Sequence, residues 1–332
     1  MNKIATQLAN TGCKFSGLPQ RSGLNLGRDR ARPGGANRYN PTARPPVLRF
    51  ALSGEECFMA GLPARIVRDS RLLLLDFDGV VTTEAEDVGL KAQTLTVFAA
   101  IGAQFGERAL KMVRLAGRAI YDAGGTLQLG PLLYHAAKLL KPVDAPIEPT
   151  LARLIAACAD SLDYRGIAPA GEPLRAALAR LKEQGIEVAI LTNGVRENVF
   201  RVLALKGLTE MFPPEHIFDA ISTLDKHGKL HPKPDPKGYQ FVLRELGVEP
   251  ASCIVVDNSR KNVRAAKREV GCCGVIYIGN SLKAKDRKVI DHLSPSFVHL
   301  MDEIVAVLDR ADFAEPDPIG LPLDKRVPAP VD

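Results

Sequence analysis

Hydrophobic and polar positions alternate along this chain in two distinct ways. Short apolar runs of about five residues, each ended by polar or acidic residues, fall at 71–77, 186–191, 217–221, 253–256 and 275–278. Between and after them, apolar residues recur at helical spacing over 173–184, 195–206, 237–246, 260–270 and 298–308. Gly185, Gly207, Gly247 and Gly271 stop the first four of these helical stretches. Strands alternating with helices in this cadence predict right-handed βαβ units, and therefore a parallel sheet covered on both faces.

One stretch breaks the alternation. Residues 84–166 carry no strand pattern, only helical periodicity at 88–105, 107–123, 127–140 and 148–164. A helical block inserted directly after the first strand predicts a cap over the carboxyl edge of the sheet. The expected fold class is α/β, a Rossmann-like parallel sheet core with an inserted α-helical cap domain. The core takes 63–83 and 167–312 and the cap 84–166. Residues 17–46 are rich in Gly, Pro, Asn and Arg without a sustained period, so 1–62 are expected to form a disordered basic tail. Residues 313–332, rich in proline, are expected to form a second tail.

Composition narrows the classes. With 46% hydrophobic and 25% charged residues among 332, the chain has the make-up of an ordinary globular protein. No run approaches the roughly 18 to 20 uncharged apolar residues of a membrane-spanning helix, so no membrane partner is expected. The net charge of +6 hints at nucleic acid until it is located. Residues 1–50 hold Lys3, Lys14, Arg21, Arg28, Arg30, Arg32, Arg38, Arg44 and Arg49 against Asp29 alone, which leaves the rest slightly acidic. No nucleic-acid partner is therefore expected for the folded part. The six cysteines form neither a disulfide-rich framework nor C-x-x-C pairs, which points to a reducing, cytoplasmic compartment.

Candidate chemistry follows from the strands, because ligands of an open α/β sheet bind beyond the carboxyl ends of its strands. The first strand runs into Asp76-Phe77-Asp78-Gly79, the second into Thr192-Asn193-Gly194 and the fourth into Asp257-Asn258-Ser259; Lys233 stands between Pro232 and Pro234. Two carboxylates at i and i+2 point the same way while strand geometry lasts, and Gly79 lets the backbone turn away. Asp76 can then attack phosphorus while Asp78 handles the proton of the leaving oxygen and of water. Paired acids need cations. Mg²⁺ suits an all-oxygen donor set, and Lys233 supplies a second positive charge. Thr192, Asn193 and Gly194 offer a hydroxyl and turn amides to a phosphate. Asp225, His227 and His231 could suggest a metal cluster, but their loop setting favours solvated side chains.

Taken together, these four motifs resemble the haloacid dehalogenase-like superfamily, in particular its phosphatase branch with a helical C1 cap. The resemblance covers about residues 70–280. It implies Asp76 as nucleophile, Asp78 as general acid/base, Thr192 and Asn193 as phosphate binders and Lys233 as the charge-stabilising lysine. Asp76, the Asp78 backbone carbonyl, Asp257 and Asn258 would form the Mg²⁺ site, and the substrate would be a small phosphate ester such as a nucleoside monophosphate or sugar phosphate. An acid at Asp78 favours phosphatases over the dehalogenases of the superfamily. The departure is at the fourth motif, where Asn258 and Asn262 are neutral. A phosphomutase of the same fold and a catalytically weak binding or scaffold protein are the alternatives, and oligomeric state is left open.

Overall fold

A computed structural model describes residues 61–122 and 128–310. Both expected tails therefore lie outside the described residues, apart from Gly61 and Leu62. The expected core opens with a helix that the sequence pattern did not predict, α1 (Ala64–Arg68). It leads into β1 (Leu72–Leu75), whose four leucines are all buried.

The helical block follows. It comprises α2 (Glu84–Lys91), α3 (Thr94–Asp122, broken at Gly106 with φ 82°), α4 (Leu129–Leu140) and α5 (Glu148–Ser161). The chain then alternates through α6 (Glu172–Glu183), β2 (Glu187–Leu191), α7 (Arg196–Lys206), β3 (Ile217–Phe218) and α8 (Pro236–Glu245). It continues through β4 (Cys253–Asp257), α9 (Arg260–Ala265), β5 (Gly274–Ile278), β6 (His292–Ser294) and α10 (Phe297–Leu308). The expected third strand shrinks to two residues, and β6 has no counterpart in the sequence reading.

Among the described residues the strands form one sheet in the order β3-β2-β1-β4-β5-β6, and every neighbouring pair is parallel. The chain thus starts in the middle, builds outward on one side and then returns to build the other. The crevice at that reversal is where such sheets bind ligands. Alternate residues of the central strands point to opposite faces, so Leu73, Leu75, Ile190 and Val256 enter one core, while Leu72, Leu74, Leu191 and Val255 enter the other.

The helical insertion has its own core, built on Ile101, Val113, Leu133 and Leu154. Val195 and Leu230, from the loops beyond the sheet, belong to the same cluster. Gly130 makes the closest approach. Its amide donates to Asn193 O at 3.2 Å, and a Cβ at that position would lie 2.5 Å from Gly194 O. The insertion therefore rests on the loop that follows β2.

Candidate active site

Local sequence shapes the loop after β1. Asp76 caps it, accepting from Phe77 N at 2.7 Å, and Gly79 adopts φ 77°. Thr82, fully buried, accepts from Gly79 N at 2.8 Å and donates to Phe77 O at 3.2 Å, which locks the turn. The sequence reading gave Thr82 no part, although a hydroxyl following the turn glycine is the signal that would have found it.

Asp76, Asp78, Thr192, Lys233, Asp257 and Asn258 converge here from β1, β2, β4 and the loop before α8. Lys233 is buried and bridges two carboxylates, with Nζ 2.7 Å from Asp76 Oδ1 and 2.8 Å from Asp257 Oδ2. Burial disfavours its charge, but Asp257 and then Asp76 outweigh burial and hold the ammonium above its ordinary range. Burial first, and then the Asp257 charge, push the Asp76 carboxyl up to about 8 in spite of Lys233. A cation beside Asp76 would favour the ionised form of that carboxyl. Asp76 Oδ2 accepts no hydrogen bond from a described residue.

Asp78 is raised above the ordinary carboxylate range by burial and then by Asp87. Its Oδ2 accepts from the Thr192 hydroxyl at 3.4 Å. Asp87 was not anticipated. It is buried on α2, its Oδ2 lies 3.7 Å from where a Cβ of Gly79 would stand, and it pairs with Lys91 at 2.5 Å.

The expected phosphate loop is narrower than its sequence suggested. Both polar atoms of the Asn193 side chain are committed to Lys233: Nδ2 donates to Lys233 O and Oδ1 accepts from Lys233 N, each at 2.8 Å. Gly194 N donates to Thr192 Oγ1 at 2.9 Å. Asn193 thus positions the lysine loop, and the Gly194 amide closes the turn. The Thr192 hydroxyl remains beside Asp78.

Asp257 and Asn258, expected together at a metal, are separated by their contacts. A carboxylate has about four acceptor positions. Those of Asp257 are occupied by Ser259 N, by Lys233 Nζ and twice by Asn262 Nδ2, at 2.7 to 3.1 Å. Asn258 is the group facing the loop after β1, where its Nδ2 donates to Asp78 O at 3.0 Å. A Cβ on Gly79 would fall 2.2 Å from that same nitrogen, so the cradle between Asp78 O and Asn258 exists only because residue 79 is glycine.

The Asp225, His227 and His231 group also differs from expectation. His227 is exposed, whereas His231 is buried between Asp225 and Asp235 rather than solvated. Among the described residues no three His, Cys, Asp or Glu side chains converge as a metal cage. The donors beside Asp76 are instead a backbone carbonyl and a carboxamide.

Comparison with known proteins finds relatives of this chain. The chain is 32% identical over 166 residues to a phosphoglycolate phosphatase of Pseudomonas putida, over 50% of this chain and 54% of that protein. It thus spans about half the length of that relative. A second, phosphoglycolate phosphatase 1 of Pseudomonas aeruginosa, is 27% identical over 282 residues, 80% of this chain and 90% of its own. Among solved structures, CbbY from Rhodobacter sphaeroides in complex with phosphate is 20% identical, with 70% of this chain and 96% of that one covered and a TM-score of 0.42. The pattern of the haloacid dehalogenase-like hydrolases matches residues 71–269, from the first residues of the β1 run to the helical turn after β4 and α9. An acid pair after a central strand, a lysine tied to the acid of a neighbouring strand and a helical insertion between β1 and β2 fall within that match, and the chain belongs to the haloacid dehalogenase-like hydrolases.

Proposed function

We propose that this chain is a phosphatase that hydrolyses a small phosphomonoester through an aspartyl-phosphate on Asp76. The observation that carries the reading is the asymmetry of that carboxylate. Oδ1 is held by Phe77 N and Lys233, while Oδ2 has no hydrogen-bonding partner among the described residues. A carboxylate gripped by one oxygen is oriented to attack with the other.

In the first step Asp76 Oδ2 forms a bond to phosphorus as the bond to the leaving oxygen breaks. Asp78, its carboxyl raised by burial and then by Asp87, gives its proton to that oxygen. In the second step Asp78 takes a proton from water, the water oxygen bonds to phosphorus, and the bond to Asp76 breaks to return the carboxylate. Lys233 and the Thr192 hydroxyl offset the charge of the phosphoryl oxygens.

The Asp78 carbonyl and, with its carboxamide turned over, Asn258 Oδ1 would hold Mg²⁺ beside the Asp76 carboxylate, whose Oδ2 stays free to attack. Both donors are oxygens, and a cation there would offset the burial and the Asp257 charge that raise the Asp76 carboxyl. When bound, the ion would neutralise phosphate charge and align the ester for in-line attack. We assign Asp257 to holding Lys233 and not to the metal. The helical block at 84–166 serves as the cap, excluding water from the site.

The names of the relatives extend the candidate substrates from nucleoside and sugar phosphates to phosphoglycolate and, through pyrophosphatase PpaX of Bacillus velezensis, to pyrophosphate. Turnover of p-nitrophenyl phosphate and of a panel of these esters, with Mg²⁺ and with a chelator, tests the proposal. Hydrolysis that requires Mg²⁺ and disappears in Asp76→Asn is the expected result. No hydrolysis of any ester would overturn it and favour a binding protein.

A further inference from the structure

We propose that His231 is a positioning residue for Lys233, an imidazolium clamped between Asp225 and Asp235 that links the helical insertion to the lysine. The importance of Lys233 rests on the phosphatase reading above; the geometry of the clamp does not.

The His231 side chain is 5% exposed, and both ring nitrogens face carboxylates: Nδ1 lies 2.8 Å from Asp235 Oδ2 and Nε2 lies 3.1 Å from Asp225 Oδ2. Both acids are ionised. The Lys229 amide first, and then His231, hold Asp225 down at about 2. Burial opposes ionisation of Asp235, but the His231 hydrogen bond and then the Lys237 amide outweigh it and keep the carboxyl below its ordinary range. An ionised carboxylate only accepts, so each ring nitrogen must donate and the ring carries two N–H groups and a positive charge. A neutral ring would set a bare nitrogen against a carboxylate oxygen. The other charged groups of this segment are the exposed Lys226, Lys229, which acts on Asp235, and Lys233 itself, with the Tyr134 hydroxyl beyond Gly228.

The clamp closes a loop on itself. His231 and Asp235 stand at i and i+4, Asp235 N donates to Pro232 O at 2.9 Å, and Lys233 is at the centre of the span. Asn193 holds both the amide and the carbonyl of Lys233, and the ring contact braces the residues on either side of it, His231 against Asp235. Asp235 also caps α8 through Lys237 N, and a Cβ on Gly238 would meet His231 O at 2.2 Å. The base of the clamp therefore sits directly on a helix.

At its other end the clamp meets the insertion. Asp225 Oδ1 accepts from His227 N and Lys229 N, each at 2.9 Å, folding 225–229 into a tight turn. The carbonyl of Gly228 in that turn accepts from Tyr134 OH of α4 at 2.9 Å. A continuous series of contacts thus runs from Tyr134 through Gly228, Asp225 and His231 to the loop that aims Lys233.

The test uses the full chain. Nitrogen-15 spectra of the imidazole should show both His231 nitrogens protonated at neutral pH, and a bare nitrogen would overturn the clamp. His231→Gln keeps a polar group but can donate to both acids only imperfectly. It should shift the Lys233 ammonium signal without any substrate present, and lower kcat about tenfold with KM changed less than about twofold. In a Lys233→Met background the same substitution should cost less than about twofold more, because its effect passes through the lysine. Multiplying effects, or an unmoved Lys233 signal, would overturn the positioning role. If His231→Gln fails to fold, Asp225→Asn retains the acceptor for His227 and Lys229 and removes only the charge, and it must move the Lys233 signal in the same direction. A shifted lysine signal in a chain that hydrolyses nothing would defeat the phosphatase reading and leave the clamp standing.

Discussion

Replacing Lys206 with Met should be among the most damaging single changes to stability outside the site. Glu86 on α2 and Lys206 on α7 form an ion pair with side chains only 5% and 6% exposed, at 2.8 Å. The carboxylate does more than neutralise the lysine. Its Oε2 accepts from Thr83 N at 2.7 Å, where the chain leaves the core for the insertion, and its Oε1 accepts from Ala168 N at 2.9 Å, where it returns. Removing the ammonium leaves a buried anion held by two amides, which typically costs about 3–5 kcal/mol. At roughly 2–4 °C per kcal/mol for a domain of this size, the midpoint of thermal unfolding should fall by about 6–20 °C.

The pH dependence adds a sign. Burial alone would raise the Glu86 carboxyl, but the hydrogen bonds from Lys206, Thr83 and Ala168 hold it below its ordinary 4.5. A depressed acid gives stability that is fully present above the unfolded value and is lost as pH falls through the folded one. In Lys206→Met, burial is opposed only by the Thr83 and Ala168 amides and the carboxyl rises, so the variant gains relative stability as Glu86 takes up a proton. The deficit against the parent should be largest near pH 7 and should narrow towards pH 5. Scanning calorimetry at both pH values, beside circular dichroism at 222 nm, measures it. Substituting Met at both Glu86 and Lys206 should recover part of the loss, because two exposed-side amides then lack an acceptor at about 1 kcal/mol each. A midpoint within about 2 °C of the parent at pH 7, or a deficit that does not narrow, would refute the reasoning.

Three further outcomes are expected. Asp76→Asn should abolish turnover because an amide cannot form the phosphoryl bond, whereas Asp78→Asn should slow both steps and accumulate the phospho-intermediate; acid-quenched mass spectrometry distinguishes them. Asn258→Asp should lower the Mg²⁺ concentration for half-maximal activity by about tenfold, since a carboxylate replaces the carboxamide beside Asp78 O, without a matching rise in maximal rate; an unchanged titration would place residue 258 away from the ion. Gly79→Ala should reduce stability by roughly 1–2 kcal/mol through its positive φ alone and should also dislodge Asn258, which urea unfolding and the Mg²⁺ titration read separately.

Much of the fold was legible because each buried strand is a run such as Leu72–Leu75 that ends where its chemistry begins, and each following helix ends at a glycine such as Gly207, found at φ 66°. β6 was not legible: His292 and Ser294 are polar, and both are buried with Glu303 of α10 as a partner, Ser294 also bonding Ser296 O. The start of α2 could have been read earlier than Val88, since Thr83 and Glu86 form a capping box whose T-x-x-E signature is in the sequence. Nothing local could have matched Glu86 with Lys206, because that pairing depends on which segments the fold brings together; His231 and its two acids all lie within 225–235, but no periodicity marks a loop that folds back on itself. The same holds for Asn258 and Asp257. Adjacent in sequence, they differ in role because one faces the β1 loop and the other is enclosed by Lys233, Ser259 and Asn262.

The contact at Gly130 bears on how such a scaffold could be re-engineered. There the first turn of α4 lies backbone against backbone on Asn193 and Gly194, with Ala220 at its flank and no side chain between them. A transplanted lid could have any outer surface, but at that point it must bring a glycine and an amide aimed at the Asn193 carbonyl. A chimera that keeps this single seat should inherit the recipient's loop intact, whereas one that places even a methyl group there would wedge the two halves apart and splay the pocket.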